Sequence, residues 1–170
     1  MENSDRLIEE HIPRLRRYAR ALVRDPVRAD DLVQDTLERA WGKFHLWQRG
    51  SDLRAWLFSI MHNVHVNSVR RGDAVHMHMV PLDDEALEIP VRPEQEDSLQ
   101  VRDIHAALAC LPVEQRSVLL LVGLEEMRYE EVARVLGVPL GTVMSRLSRG
   151  RERLRQLMAG GAVTPLRVVK

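Results

Sequence analysis

The sequence predicts an all-α protein made of two small helical domains joined by a flexible acidic linker. Three observations predict it. Apolar residues recur at three- and four-residue spacing along most of the chain, and no stretch has the two-residue alternation of a strand. That periodicity fails from Gly72 to about Glu96, where Pro81, Pro90 and Pro93 interrupt the chain. Aromatics make up only 4% of a chain that is 45% apolar, so the cores on either side must be packed from Leu, Val, Ile and Ala. A length of 170 residues suffices for one domain or for two small ones.

Residues 5 to 24 read as helix, with Leu15, Tyr18, Ala19, Leu22 and Val23 as its apolar stripe and Pro13 starting or kinking it. Asp25-Pro26 breaks that helix. A second runs from about Val27 to Trp41, with Leu32, Val33, Thr36, Leu37, Ala40, Trp41 and then Phe44 inward. Its other face is Asp30, Asp31, Gln34, Asp35 and Glu38. Acids in a first turn are ordinary partners of the helix dipole, which accounts for Asp30 and Asp31. Asp35 and Glu38 lie beyond it, and periodicity leaves open whether they form a solvated face or a contact surface. A loop follows from His45, with Ser51 or Asp52 as the next cap. The third helix, about Leu53 to Arg71, buries Leu53, Trp56, Leu57, Ile60 and Val64. It displays His62, Asn63, Asn67, Arg70 and Arg71.

The predicted layout is a first domain over 5–72, a linker over 73–97 and a second domain over 98–159. Pro81 to Ser98 holds acids at 83, 84, 85, 88, 94, 96 and 97 against Arg92 alone, the composition of an extended strap. Helical pattern resumes with Val101, Ile104, Leu108 and Leu111 inward. It stops at Pro112 and continues through Val118, Leu119, Leu121 and Val122 to Gly123. Then comes a helix-turn-helix pattern. Tyr129, Val132, Ala133 and Leu136 form one stripe, Gly137 supplies a left-handed stop, and Pro139 suits the first turn of the next helix. In that next helix Val143, Leu147, Leu154 and Leu157 face inward, while Thr142, Ser145, Ser148, Arg149 and Glu152 face out with Arg146 on the flank. Hydroxyls and guanidinium groups on a short exposed helix suit the major groove of DNA. The bland alternative is an αα-hairpin with a solvated basic face.

Formal net charge is zero, with 25 basic and 25 acidic residues, which alone would argue against nucleic acid. The neutrality is a cancellation. Arginines 146, 149, 151, 153 and 155 stand against Glu152 alone, and the acid excess lies in the strap. The single cysteine, Cys110, permits no intramolecular disulfide and reads as a small core residue of a protein kept in a reducing, cytoplasmic setting. No signal peptide and no membrane span are expected. His62 with His65, or His76 with His78, could ligate a metal, but no acid or thiol constellation stands nearby. No metal, no cofactor and no enzymatic activity are expected.

Four blocks in order carry a family resemblance: Ala29-Asp-Asp-Leu-Val-Gln-Asp-Thr-Leu-Glu-Arg-Ala-Trp41; Leu53-Arg-Ala-Trp-Leu-Phe58 with Asn63; Leu111-Pro-Val-Glu-Gln-Arg116; and Val138-Pro-Leu-Gly-Thr-Val143 with Ser145-Arg146-Leu147. Together, from about Leu7 to Met158, the chain resembles a bacterial RNA polymerase sigma factor of the small extracytoplasmic-function (ECF) type. The resemblance implies a core polymerase contact through Asp30, Asp31, Gln34, Asp35 and Glu38. It implies opening of the start-proximal (−10) promoter element by Arg54, Trp56, Asn63, Asn67, Arg70 and Arg71, with Asn63 beside the pocket for a flipped base. It implies reading of the upstream (−35) element by Thr142, Ser145, Arg146, Ser148, Arg149 and Arg151. The implied partners are core RNA polymerase, promoter DNA and an anti-sigma protein, with no membrane. The chain departs from the family pattern at Met144, a position often basic, and at Arg128, where a hydroxyl-bearing cap is usual. Gly150 either weakens its helix or allows close packing. The rival readings are a stand-alone helix-turn-helix regulator, which leaves the Asp30 to Glu38 face without purpose, and a sigma-like decoy for an anti-sigma protein.

Overall fold

A computed structural model describes residues 2–76 and 97–160. Among them there are eight α-helices and no strand: α1 (Glu2–Glu9), α2 (Ile12–Leu22), α3 (Pro26–Lys43), α4 (Leu53–His76), α5 (Asp97–Ala109), α6 (Val113–Gly123), α7 (Tyr129–Leu136) and α8 (Leu140–Ala159). The first four form one unit and the last four another. Most of the expected linker, including His78 and the acids from Asp83 to Glu96, lies outside the described residues.

Local chemistry sets the helix starts. Pro13 stands in the first turn of α2, so the long first helix of the sequence reading is two helices broken at Glu10–His11. The Asp25 carboxylate accepts from the Val27 amide at 2.9 Å ahead of α3, and Pro26 occupies the first turn. Of the two candidate caps for α4, Asp52 does the work, its carboxylate taking the Ala55 amide at 3.1 Å, while Ser51 bonds back to the Gln48 carbonyl. Gly72 does not end α4, which continues to His76. An internal glycine costs a helix roughly 1 kcal/mol but does not stop it.

The first unit packs α2 against α3 and α3 against α4. Leu15, Tyr18, Ala19, Leu22, Leu32, Val33, Leu57, Phe58, Met61 and Val64 are its buried interior, with the Tyr18 and Phe58 rings edge-on at 5.1 Å. Thr36, buried among them, satisfies its hydroxyl on the Leu32 carbonyl at 2.6 Å. One expected core residue is exposed, and five, Val23, Leu37, Phe44, Trp56 and Ile60, are only partly buried against the core. Trp41 is 41% exposed because it continues the outer stripe of α3, and Trp56 and Ile60 are only partly buried because Phe58 and Met61 take the centre of α4.

In the second unit Leu108, Leu111, Val118, Leu121, Val132, Val135, Val143 and Leu147 close the core. Val101 and Ile104, expected inside, are exposed, and so is Cys110. Gly137 ends α7 at φ 65°, the left-handed stop read from the sequence. Pro139 stands one residue earlier than expected, as the cap of α8. The Arg128 amide donates to the Glu131 carboxylate at 2.8 Å, so α7 keeps half of a capping box without a hydroxyl at its cap. Gly150 is a packing glycine: a Cβ there would meet Leu119 Cδ1 at 3.1 Å and Gln115 Cβ at 3.4 Å, which lets α8 lie close on α6.

Candidate core-polymerase and promoter interface

On α3, Asp30, Asp31, Gln34, Asp35 and Glu38 are all exposed and stand at the spacing of one helical face. Gln34 donates to Glu38 at 3.4 Å along it. Trp41 ends the same outward stripe, one turn beyond Glu38. Asp31 and Asp35 also border a groove of about 400 Å³ that includes Arg28 and His65 from the first unit and Val113 and Arg116 from the second. His65 is buried in its wall with Nε2 lacking a hydrogen-bond partner. Burial, then the neighbouring positive charges of His62, Arg116 and Arg28, push its imidazole down to about 4.

On α4, Trp56, Asn63, Asn67 and Arg70 follow at i, i+7, i+11 and i+14, so they share a flank; the last three are exposed. Trp56 stands edge-on to Phe44 at 6.4 Å, and Phe44 meets Trp47 at 5.3 Å, which anchors this flank to the loop before it. Arg71 is exposed on the adjacent side. Arg54 is not part of this flank. Its guanidinium faces the second unit, donating to the Glu125 carbonyl at 3.0 Å and approaching the Glu131 carboxylate at 3.8 Å.

On α8, Ser145, Ser148, Arg149 and Arg151 are exposed and Thr142 and Arg146 partly so, while Val143, Leu147 and Gly150 fill the inner side. The Ser145 hydroxyl donates to the Thr142 carbonyl at 3.1 Å. α8 thus presents a polar, cationic outer face from its first turn onward, the arrangement that fits a major groove. Arg146 lies near α4, where its charge, added to burial, lowers His62.

Two residues outside these sets hold the units together. Arg116 donates to the carbonyls of Leu108, Ala109 and Leu111 at 2.7, 2.9 and 2.8 Å and to Leu22 of the first unit at 2.9 Å. It satisfies the open end of α5 and reaches across. Glu125 is the buried acid. Its side chain has no exposure, and it meets Arg17 at 3.1 Å and Arg14 at 3.7 Å. No spacing rule could have found it, since both partners lie more than 100 residues away in sequence. Among the described residues no group of three or more His, Cys, Asp or Glu side chains is placed to hold a metal, and no helix is long and apolar enough to cross a membrane.

A helical chain with an exposed acidic face, an amide- and arginine-bearing helix and a helix-turn-helix fits a promoter-directed transcription factor. Family models match both units: the Sigma2 domain of PhyR over residues 8–62, and Sigma-70 region 4 over residues 102–154. The ECF RNA polymerase sigma factor EcfG of Rhodopseudomonas palustris is 37% identical over 152 residues, covering 86% of this chain and 80% of the relative. The ECF RNA polymerase sigma factor SigE of Mycolicibacterium smegmatis is 37% identical over 162 residues, or 94% of this chain, which spans 63% of that longer relative. Among solved structures, the sigma factor RpoE of Bartonella quintana, crystallised with the anti-sigma factor NepR, superposes with a TM-score of 0.80 at 35% identity, covering 94% of this chain and 98% of that one. The chain belongs to the extracytoplasmic-function sigma factors of bacterial RNA polymerase.

Proposed function

We propose that this chain is a cytoplasmic, non-enzymatic initiation factor. It docks on core RNA polymerase through the Asp30–Glu38 face, opens the start-proximal promoter element with the Asn63 flank of α4, and reads the upstream element with α8. The observation that carries this reading is the survival of all three faces at the surface of one chain of the ECF family. A stand-alone regulator needs only α8. The two elements, about 25 base pairs apart by their labels, are roughly 85 Å apart on B-form DNA. A compact chain of this length has a radius of gyration of roughly 15 Å. The two units therefore separate when both elements are read, and the arrangement described here is the closed form.

Because closure turns Arg54 away from DNA, a partner that favours the closed form silences the factor. The proposed inhibitor is a separate anti-sigma protein, the class of partner with which the Bartonella relative was crystallised. Its expected site is the Asp30–Glu38 face or the apolar surface from Leu119 to Leu124 at the end of α6. The testing experiment is in vitro transcription with purified core polymerase and a promoter library. Specific initiation from a shared two-element consensus supports the reading, and initiation no better than core alone overturns it. A second reading, a sigma-like decoy that occupies an anti-sigma protein, is favoured by the first unit's match to the PhyR model. It requires anti-sigma binding with no specific initiation in the same assay.

A further inference from the structure

The outer face of α8 has one feature that polar recognition does not use. Met144 is 52% exposed in the second turn of the helix, and Leu140, one turn earlier on the same flank, is 40% exposed. The inner side of α8 is filled by Val143, Leu147 and Gly150, so Met144 adds nothing to the core. Around it stand Ser145, Ser148 and Arg151, all exposed.

We infer that Met144 is a specificity-determining residue that packs on the C5-methyl group of a thymine in the upstream promoter element. The inference rests on the reading of α8 as the major-groove helix. The first turns of such a helix are the ones that approach base edges. Among the groups exposed along the major groove, the thymine methyl is the apolar one; the others are hydrogen-bond donors and acceptors. A thioether donates nothing and accepts only weakly, so Met144 discriminates through the methyl. Its flexible side chain can follow that methyl across small changes in docking. Charge complementarity selects DNA over a protein surface as the occupant. Ser148, Arg151 and Arg155 follow Met144 at i+4, i+7 and i+11 along the same exposed flank, whereas two apolar side chains alone make a poor protein-docking patch.

The test uses holoenzyme reconstituted from the full chain and core polymerase, on a duplex carrying the upstream element that wild type selects from a randomised library. Each thymine of that element, on either strand, is replaced singly by deoxyuridine, which lacks only the methyl. Wild type is expected to lose about fourfold in affinity at one position, the factor equivalent to the ~0.8 kcal/mol of one buried methyl. Met144→Ala is expected to bind the thymine and deoxyuridine duplexes alike at that position, with an unchanged helical circular dichroism spectrum. An element without thymine, no deoxyuridine sensitivity in wild type, or the same sensitivity in Met144→Ala would each overturn the inference. Unchanged duplex preference with weakened core binding would reassign Met144 to a polymerase contact and overturn it too. Failure of the underlying reading shows separately: Arg149→Ala would then leave every base preference of the element intact.

Discussion

Arg149 stands exposed on α8 with Ser145 and Thr142 one and two turns before it. A guanidinium so placed can pair with the O6 and N7 atoms of a guanine, a contact that carries ~1–3 kcal/mol of discrimination. Arg149→Ala is therefore expected to relax preference at one base of the upstream element, checked with a promoter-mutant panel. Arg153→Ala, beyond the first turns, is expected to leave the preferences themselves unchanged. His65 supplies a pH-dependent outcome. Its pKa in the fold, about 4, lies below the ordinary 6.5, so the folded chain keeps it neutral while the unfolded chain protonates it first. Stability is full above pH 6.5 and falls as pH drops from there toward 4. The urea midpoint of wild type is expected to fall between pH 7.5 and 5, and the fall to shrink but not vanish in His65→Leu, because His11 and His62 are lowered as well. The outward residues of α8 were legible from the sequence because helical period separates them from Val143 and Leu147. Cys110 and Glu125 were not. Each is a residue type whose usual burial is reversed here, and only the partner surface decides that.

At the scale of the element, the acidic face of α3 is the clearest case. Its five polar residues are exposed as the period predicted, while Leu32, Val33, Thr36 and Ala40 hold the helix in place from the other side. Asp35→Lys with Glu38→Lys is expected to leave the melting curve nearly unmoved, since surface changes usually cost within ~0.5 kcal/mol. The pair of reversals is expected to weaken binding to core polymerase at least tenfold, about 1.4 kcal/mol, by setting like charges across the contact. A pull-down titration with equal affinities for the two chains would remove α3 from the interface. Helix identity was readable throughout the described residues, and so were the ends set by Asp25-Pro26, Leu53 and Gly137, while two other ends were not. The α1–α2 break follows from Pro13 in the first turn of α2, and α4 runs past Gly72 because an internal glycine costs a helix roughly 1 kcal/mol without stopping it. The inward side of α5 was misread because Val101 and Ile104 continue the spacing of Leu108 into a stretch that the core does not reach.

For the molecule as a whole, the sequence foretold two helical units but nothing of how they meet. Their contact runs through α4 against α7 and α2 against α6, and its polar centre is Glu125. The Glu125 carboxylate takes Arg17 and Arg14, its carbonyl takes Arg54, and Arg17 also donates to the Leu124 carbonyl at 3.1 Å. Truncating one partner of a fully buried ion pair costs about 3–5 kcal/mol. Arg14 and Arg17 are about half exposed, at 49% and 54%, so they stay hydrated when the acid is lost, and about 1–2 kcal/mol is the fitting expectation. Glu125→Gln keeps the volume and hydrogen-bonding capacity and removes the charge. It is expected to leave helix content unchanged and to raise the open fraction roughly 5- to 30-fold, seen as a larger radius of gyration in solution scattering. On the proposed function, closure competes with promoter engagement, so apparent affinity of the chain, together with core polymerase, for a two-element promoter should rise by up to the same factor, with the full gain when the closed form predominates in wild type. Added salt should open wild type less than Glu125→Gln does, because the buried carboxylate is shielded from ions that screen the exposed arginines. A variant with wild-type dimensions and wild-type promoter affinity would show that apolar packing between α2 and α6 holds the units together, with Glu125 merely accommodated.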